Sequence, residues 1–369
     1  MIKNRILSIV ATSLLLAGSV VGCSDDTDES GGTGGSAGGD TGGSGGGDTG
    51  GSGGGDTGGT GGSGGGDTGG TGGGGGETCQ TIVEIATTNP DFELLAEAVV
   101  KAGLAGALTD VTVFAPTDDA FEALLGSLPK ITDGMTERSP TIADLTVEQL
   151  TPILTYHVVD GEVPSSVAVT LTEADTLGGE IALGVTDGKL YIDPDEANAE
   201  VVTPDVAACD GLIHIIDKVL LPSVADIATS QADYSELATL VTSATSSTTI
   251  LNALETTENI TLFAPTNSAI TGLASAPSAD DLDSILQYHV YAGDSPASPI
   301  YSGVALGLDS TGVDLTMLAS GDVNVATDDG TVVLTDFTDA TSDVTVVDIF
   351  ASRGSVIHRI DGVLVPELP

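Results

Sequence analysis

The chain has 369 residues, with 54 acidic and 9 basic side chains and a formal net charge of −45. Only 17% of residues are charged, so nearly all of that charge is carboxylate, a surface that repels phosphate backbones and excludes nucleic acid as a partner. The length holds two or three domains once non-globular stretches are set aside, and the three cysteines form no zinc-type pair.

The first predicted element is an export signal. Lys3 and Arg5 precede an apolar run from Ile6 to Val21 that closes on Val20-Val21-Gly22-Cys23. A basic start, a short apolar core and a small-residue exit predict a secretory signal over 1–22, and the run is short for a membrane span of ~20 apolar residues. Its exit resembles a bacterial lipobox. The resemblance implies a diacylglyceryl group on the Cys23 sulfur and an acylated amine, a multi-chain anchor that holds a membrane stably. The expected location is exported and membrane-anchored, and Ser24 after the cysteine favours the outer membrane or cell surface over the inner membrane.

Residues 23–77 read as the lipidated cysteine and a disordered tether. After a short acidic start the composition is Gly, Ser, Thr and Asp, with Asp40, Asp48, Asp56 and Asp67 marking a recurring Gly-Gly-Asp-Thr-Gly-Gly unit. Such a segment has no apolar surface to bury, and a Gly-rich coil of this length spans ~40 Å r.m.s.. A calcium-binding β-roll needs a period of nine with an apolar residue in each repeat. Here the aspartate spacings are 8, 8 and 11 and the apolar residue is missing, so the roll is rejected.

The rest of the chain is a duplication, predicted as 78–222 and 223–369. Ile85-Ala86-Thr87 with Leu95 recurs as Ile227-Ala228-Thr229 with Leu237, at one offset of 142. Val113-Phe114-Ala115-Pro116-Thr117 recurs as Leu262-Phe263-Ala264-Pro265-Thr266, and Tyr156-His157 as Tyr288-His289. Ile213-His214-Ile215-Ile216-Asp217 recurs as Ile357-His358-Arg359-Ile360-Asp361. Four strings in the same order are not chance. Repeat two starts at Ser223 with no linker, which predicts a fairly rigid pair.

Within the repeats, Asn89 and Pro90 predict a helix with Phe92, Leu95, Ala96 and Val99 on one stripe and Gly103 as its stop. Thr117 and Thr266 are expected helix caps, and Ser278 with Asp281 resembles a capping box. Asp187-Gly188 and Asp329-Gly330 predict hairpins. Local helices with antiparallel hairpins make an α+β domain.

Thr112-Val-Phe-Ala-Pro-Thr117, Tyr156-His157 and Gly211-Leu-Ile-His-Ile-Ile-Asp217, each seen twice, resemble the signature blocks of fasciclin domains. The resemblance covers roughly 78–366. It implies two tandem domains, each a β-sandwich wedge with flanking helices, and an extracellular role in adhesion or matrix association without catalysis or cofactor. In animal members the Tyr-His region and an Asp-Ile pair before the last block are linked to receptor binding. The matching positions are Tyr156, His157, Asp205 and Val206 in repeat one, and Tyr288, His289, Asp348 and Ile349 in repeat two.

The four histidines invite a metal or general-base reading. However, Leu150, Ile153, Leu154 and His157 share one helical stripe, as do Leu282, Ile285, Leu286 and His289, so both imidazoles are expected to face the core. His214 and His358 sit in apolar strands, and Asp217 and Asp361 are expected to bond backbone or end a strand. No metal ligand set is assigned. The acidic run Asp193-Pro194-Asp195-Glu196 reads as a solvated loop before a weak calcium site. With Cys23 lipidated, Cys79 and Cys209 are left in an oxidising compartment and are predicted to pair, closing a long loop worth ~4 kcal/mol. The expected partners are a membrane through the lipid anchor and a cell-surface or matrix protein or polysaccharide. The alternative is a glycan- or small-ligand-binding surface lipoprotein. A metal-dependent hydrolase requires His157 to converge with His214, or His289 with His358.

Overall fold

The computed structural model describes residues 79–133, 136–273, 277–292, 299–305, 310–319 and 321–368, which belong to one compact unit. The predicted signal, Cys23 and the tether lie outside the described residues.

Repeat one opens with a capping box, Thr81 and Glu84, that starts α1 (Ile82–Thr88). Asn89 then caps a 3-10 turn, Pro90–Phe92, and α2 (Glu93–Ala102) follows, stopping at Gly103 with φ 71°. The helix expected to run straight from Pro90 is therefore broken at Phe92. Two causes are visible. The Phe92 ring is buried, and Asp118 accepts the first free N–H groups of α2, from Glu93 at 3.3 Å and Leu94 at 2.9 Å. The buried face carries Leu95 and Ala98, whereas Ala96 and Val99 of the predicted stripe are half-buried.

The strands of repeat one are β1 (Val111–Pro116), β2 (Ile131–Asp133), β3 (Thr136–Arg138), β4 (Val158–Asp160), β5 (Glu173–Thr176), β6 (Gly179–Thr186), β7 (Lys189–Ile192), β8 (Ala199–Ala208) and β9 (Gly211–Ile216). Its other helices are α3 (Asp118–Ser127), α4 (Val147–Tyr156) and α5 (Ser165–Ala168). Thr117 caps α3, accepting from the Ala120 N–H. β1 lies parallel to β9 and antiparallel to β4, and the order β1-β4-β5-β6-β7-β8-β9 closes into a ring. Asp187 and Gly188, at φ 51° and 78°, make the predicted tight hairpin. β2 and β3 form a separate ribbon that accounts for the longer Phe114–Tyr156 interval.

Repeat two repeats the plan. Its helices are α6 (Val224–Ser230), α7 (Ser235–Ser243), α8 (Ser247–Thr256), α9 (Asn267–Thr271), α10 (Ala279–Tyr288) and α11 (Ser302–Ala305). Its strands are β10 (Thr261–Pro265), β11 (Val290–Tyr291), β12 (Val313–Thr316), β13 (Asp322–Asp328), β14 (Thr331–Thr335), β15 (Thr341–Phe350) and β16 (Val356–Ile360), in the order β11-β10-β16-β15-β14-β13-β12. Thr266 caps α9, Ser278 caps α10, and Asp329-Gly330 turns the β13–β14 hairpin. Bulges in β8 and β15 bend each sheet over itself into a wedge. Each repeat thus has two cores, one under the helices and one inside the sheet.

No residues separate the repeats: Ser223 directly follows Pro222 and is the N-cap of α6. Phe350 and Tyr301 of repeat two pack against the helical core of repeat one. Gln149 on α4 donates to the Val347 and Asp348 carbonyls at 3.1 and 3.0 Å, and Glu196 pairs with Arg353 at 2.9 Å.

Candidate functional site

Each Tyr-His pair ends a helix and faces two cores at once. Tyr156 points into the sheet and donates its hydroxyl to the Glu180 carbonyl at 2.9 Å; Tyr288 does the same with Asp322 at 2.6 Å. Both tyrosines are buried, which pushes their phenols up. His157 turns to the helical core. Its Nε2 accepts from the Leu220 N–H at 2.9 Å, so Nδ1 carries the proton and donates to the Ile153 carbonyl at 2.8 Å. His289 repeats this with Leu364 at 3.0 Å and Ile285 at 2.8 Å. Burial of each imidazole pushes its pKa down from 6.5 to about 4, so both are neutral at pH 7.

The strand histidines take the opposite tautomer. His214 Nδ1 accepts from the Asp205 N–H at 3.2 Å, and its Nε2–H donates to the Val163 carbonyl at 2.9 Å. His358 accepts from the Asp348 N–H at 3.2 Å and donates to the Ile300 carbonyl. Desolvation also lowers the His358 pKa. Each histidine thus clamps a bulge. Asp205 and Asp348 sit in it at φ 58° and 53°, in the left-handed region that aspartate tolerates. Their carboxylates then turn outward to accept from Ser165 and Ser302: the N–H at 2.8 Å in both repeats, and the hydroxyl as well. In repeat one these serine bonds hold the Asp205 carboxyl below the usual carboxylate range. Thr112 and Thr261, fully buried, complete the network by accepting from the Val163 and Ile300 N–H groups at 2.8 and 2.9 Å.

The two bulges differ in what covers them. Asp205 is exposed and Val206 half-buried. Asp348 is 8% exposed and Ile349 is 2% exposed, because α4 of repeat one lies across β15 and Gln149 takes the Val347 and Asp348 carbonyls. Only the repeat-one bulge therefore presents its residues to solvent.

Asp217 and Asp361 accept from the Glu200 and Asp343 N–H groups at 2.7 Å, joining the last strand of each repeat to β8 and β15. All four histidines have both ring nitrogens engaged, so a metal would first have to displace a backbone partner. Among the described residues no three His, Cys, Asp or Glu side chains gather as a metal-holding group. Asp193 holds the Ala182 N–H at 2.8 Å and its burial raises its pKa to about 7, while Glu196 is bound to Arg353. Cys79 and Cys209 form a disulfide with Cα atoms 5.4 Å apart. Ser165, Ser302, Thr112 and Thr261 were not singled out from the sequence. The signal for the threonines lay inside the Thr-x-Phe-Ala-Pro-Thr block, and for the serines in their place shortly after a proline, Pro164 or Pro299.

A Fasciclin domain model matches residues 90–222 and 232–366. Protein sll1483 of Synechocystis sp. is 37% identical over 150 residues, which is 40% of this chain and 76% of that protein. Uncharacterized protein sll1735 of the same organism is 38% identical over 145 residues, 38% of this chain and 96% of that protein. A solved FAS1 domain pair from the insect cell adhesion molecule Fasciclin I shares 19% identity, with a TM-score of 0.35 over 74% of this chain and 95% of that one. Both repeats are matched from before Phe-Ala-Pro-Thr to the final Val-Leu-hydrophobe-Pro, and the chain belongs to the fasciclin-domain family.

Proposed function

We propose that this chain is a non-catalytic adhesion module, held at the cell surface by lipid on Cys23 and presented by the 24–77 tether, whose contact end is the Asp205–Val206 bulge of repeat one. The observation that supports this reading is the unequal burial of the two bulges. The same His-clamped, Ser-held aspartate occurs twice, and repeat one leaves only its own copy open. The bulge is fixed by four hydrogen bonds before any partner arrives, so little ordering entropy is lost on contact. With one open bulge per chain, avidity arises between neighbouring anchored chains and not between the two repeats of one chain. The partner is a cell-surface or matrix protein or polysaccharide. A glycan or small-ligand pocket calls for converging polar groups. The groove between α1 and α2 is instead lined mainly by aliphatic side chains.

Purified residues 77–369 are expected to bind intact source cells or their extracellular polymer saturably. Asp205→Asn should weaken that binding about ten-fold, and Asp348→Asn should leave it unchanged. Equal binding by wild type and both variants would remove the bulge as the contact. No saturable binding would remove adhesion.

A further inference from the structure

Superposing the repeats in sequence on Leu95 and Leu237 sets α1 against α6 and α2 against α7. Ala225, Ile227, Ala228 and Val241 are 7%, 0%, 2% and 2% exposed. Their counterparts Val83, Ile85, Ala86 and Val99 are only half-buried. In repeat two α8 covers this face, with Ile250 and Leu254 buried in the core and Leu251 packed at its edge. Repeat one has seven fewer residues between Leu95 and Phe114 than repeat two has between Leu237 and Phe263, and the connection makes only a 3-10 turn, Ala105–Ala107. A groove is left between α1 and α2, with a lip at Val100, which is 65% exposed.

The lining is aliphatic apart from Thr87 and His157, and both His157 nitrogens are already bonded. The occupant is therefore apolar where it touches. Glu84, Glu93 and Glu97 on α1 and α2 are exposed, while Lys101 donates to the Ile142 and Ala143 carbonyls. Residues 24–77 contain no branched aliphatic side chain, so the tether cannot fill the groove.

We infer that the α1–α2 groove of repeat one docks an amphipathic helix of a partner protein, with branched aliphatics at i and i+4 and a basic polar face. The molecule supplies the template. α8 seats Ile250 and Leu254 on the equivalent surface of repeat two, and carboxylates beside the groove of repeat one, in a chain of net charge −45, favour a cationic polar face. This site is separate from the Asp205 bulge, so either can fail without the other.

The test uses residues 24–369 with the disulfide intact. The probe is a fluorescein-labelled peptide of Ser247–Thr256 in which Ile250, Leu251 and Leu254 are kept and the polar positions become lysine. Anisotropy should saturate. Ala86→Leu, which fills the groove, should weaken binding at least about ten-fold, as should Val100→Asp at the exposed lip if Ala86→Leu misfolds. Asp205→Asn should have no effect. The proposal fails if the peptide does not saturate below about 1 mM, or if a peptide with serine at the three aliphatic positions binds equally. It also fails if lauric acid displaces the peptide and binds more tightly, since the groove would then hold an acyl chain.

Discussion

Repeat one and repeat two share strand order, caps and the Thr-Ser-Asp-His network, yet they secure their first helix differently. In repeat one the Cys79–Cys209 disulfide ties the approach to α1 to the start of β9, and Asp210 accepts the Ile82 N–H at 2.7 Å. Repeat two has Arg353 where repeat one has Cys209. Arg353 donates to the Glu255 carbonyl at the end of α8 at 3.2 Å and reaches Glu196 of repeat one. Its α6 needs no staple because it continues from the last segment of repeat one, where the Pro222 carbonyl accepts from the Ser352 N–H at 2.8 Å. A free end is cross-linked; an end already joined to a neighbour is packed.

The largest expected effect breaks that contrast. Cys79→Ser with Cys209→Ser should cost about 4 kcal/mol, because a long closed loop is released in the unfolded chain. Amide exchange should show the loss in repeat one, with repeat two close to unchanged.

Acid should separate the repeats next. His157 and His289 bind a proton at 6.5 when unfolded and at about 4 when folded, so the unfolded state holds more protons between those values. Stability is full above pH 6.5 and falls as pH drops toward 4, by up to about 3 kcal/mol for each histidine. In repeat two His358 acts in the same direction. In repeat one Asp193 opposes it: its pKa rises from 3.8 to about 7 on folding, so the folded state holds the extra proton and acid favours it. Exchange at pH 4.5 against pH 7 should therefore loosen repeat two more than repeat one, and Asp193→Asn should narrow the difference to what His358 contributes.

The junction comes third. Gln149 accepts the Thr146 N–H in a capping box and donates to the two carbonyls of β15. Gln149→Glu keeps the first role and sets a charge against the carbonyls, which should cost about 2 kcal/mol and raise exchange across Val347–Ile349. The counterpart in repeat two, Asp281, bonds among the described residues to Ser278 of its own cap, so Asp281→Asn should change stability by less than about 0.5 kcal/mol. A smaller effect than that of Gln149→Glu is expected for Asp205→Ala. It removes an exposed carboxylate from Ser165 and should cost about 1 kcal/mol, less than Asp348→Ala, which removes a carboxylate that is itself buried.

Much of this architecture was legible because the deciding signals are local. Asp187-Gly188, Asp329-Gly330, Thr117 and Thr266 act over four residues or fewer, and the histidine stripes follow from helical period alone. The break at Phe92 was not legible, since it depends on Asp118 arriving from after β1. Only Ile85-Ala86-Thr87 stands out in the sequence, as a repeated string; the helix around it, Ile82–Thr88, is rich in β-branched residues, and so short an apolar run reads equally as strand. The positive φ of Asp205 and Asp348 was hidden for a similar reason: an aspartate before a hydrophobe gives no hint of a bulge until its histidine is found on the neighbouring strand. The covering of Asp348 by α4 was the least accessible, since it arises between two domains that share a pattern and differ in what lies beside them.

The disulfide also decides how the molecule carries force. Tension arriving from the N-terminal side reaches Cys79 and crosses directly to Cys209, 130 positions further along. Everything between them hangs outside the load path, and that loop would otherwise add roughly 450 Å of extensible chain at about 3.5 Å per residue. The load passes through β9, which is bonded along both edges to β1 and β8, and then into repeat two. Of the two repeats, repeat two is therefore the one whose unfolding can lengthen the chain under a pull. Reduction of one bond converts a short, stiff connector into a long, compliant one.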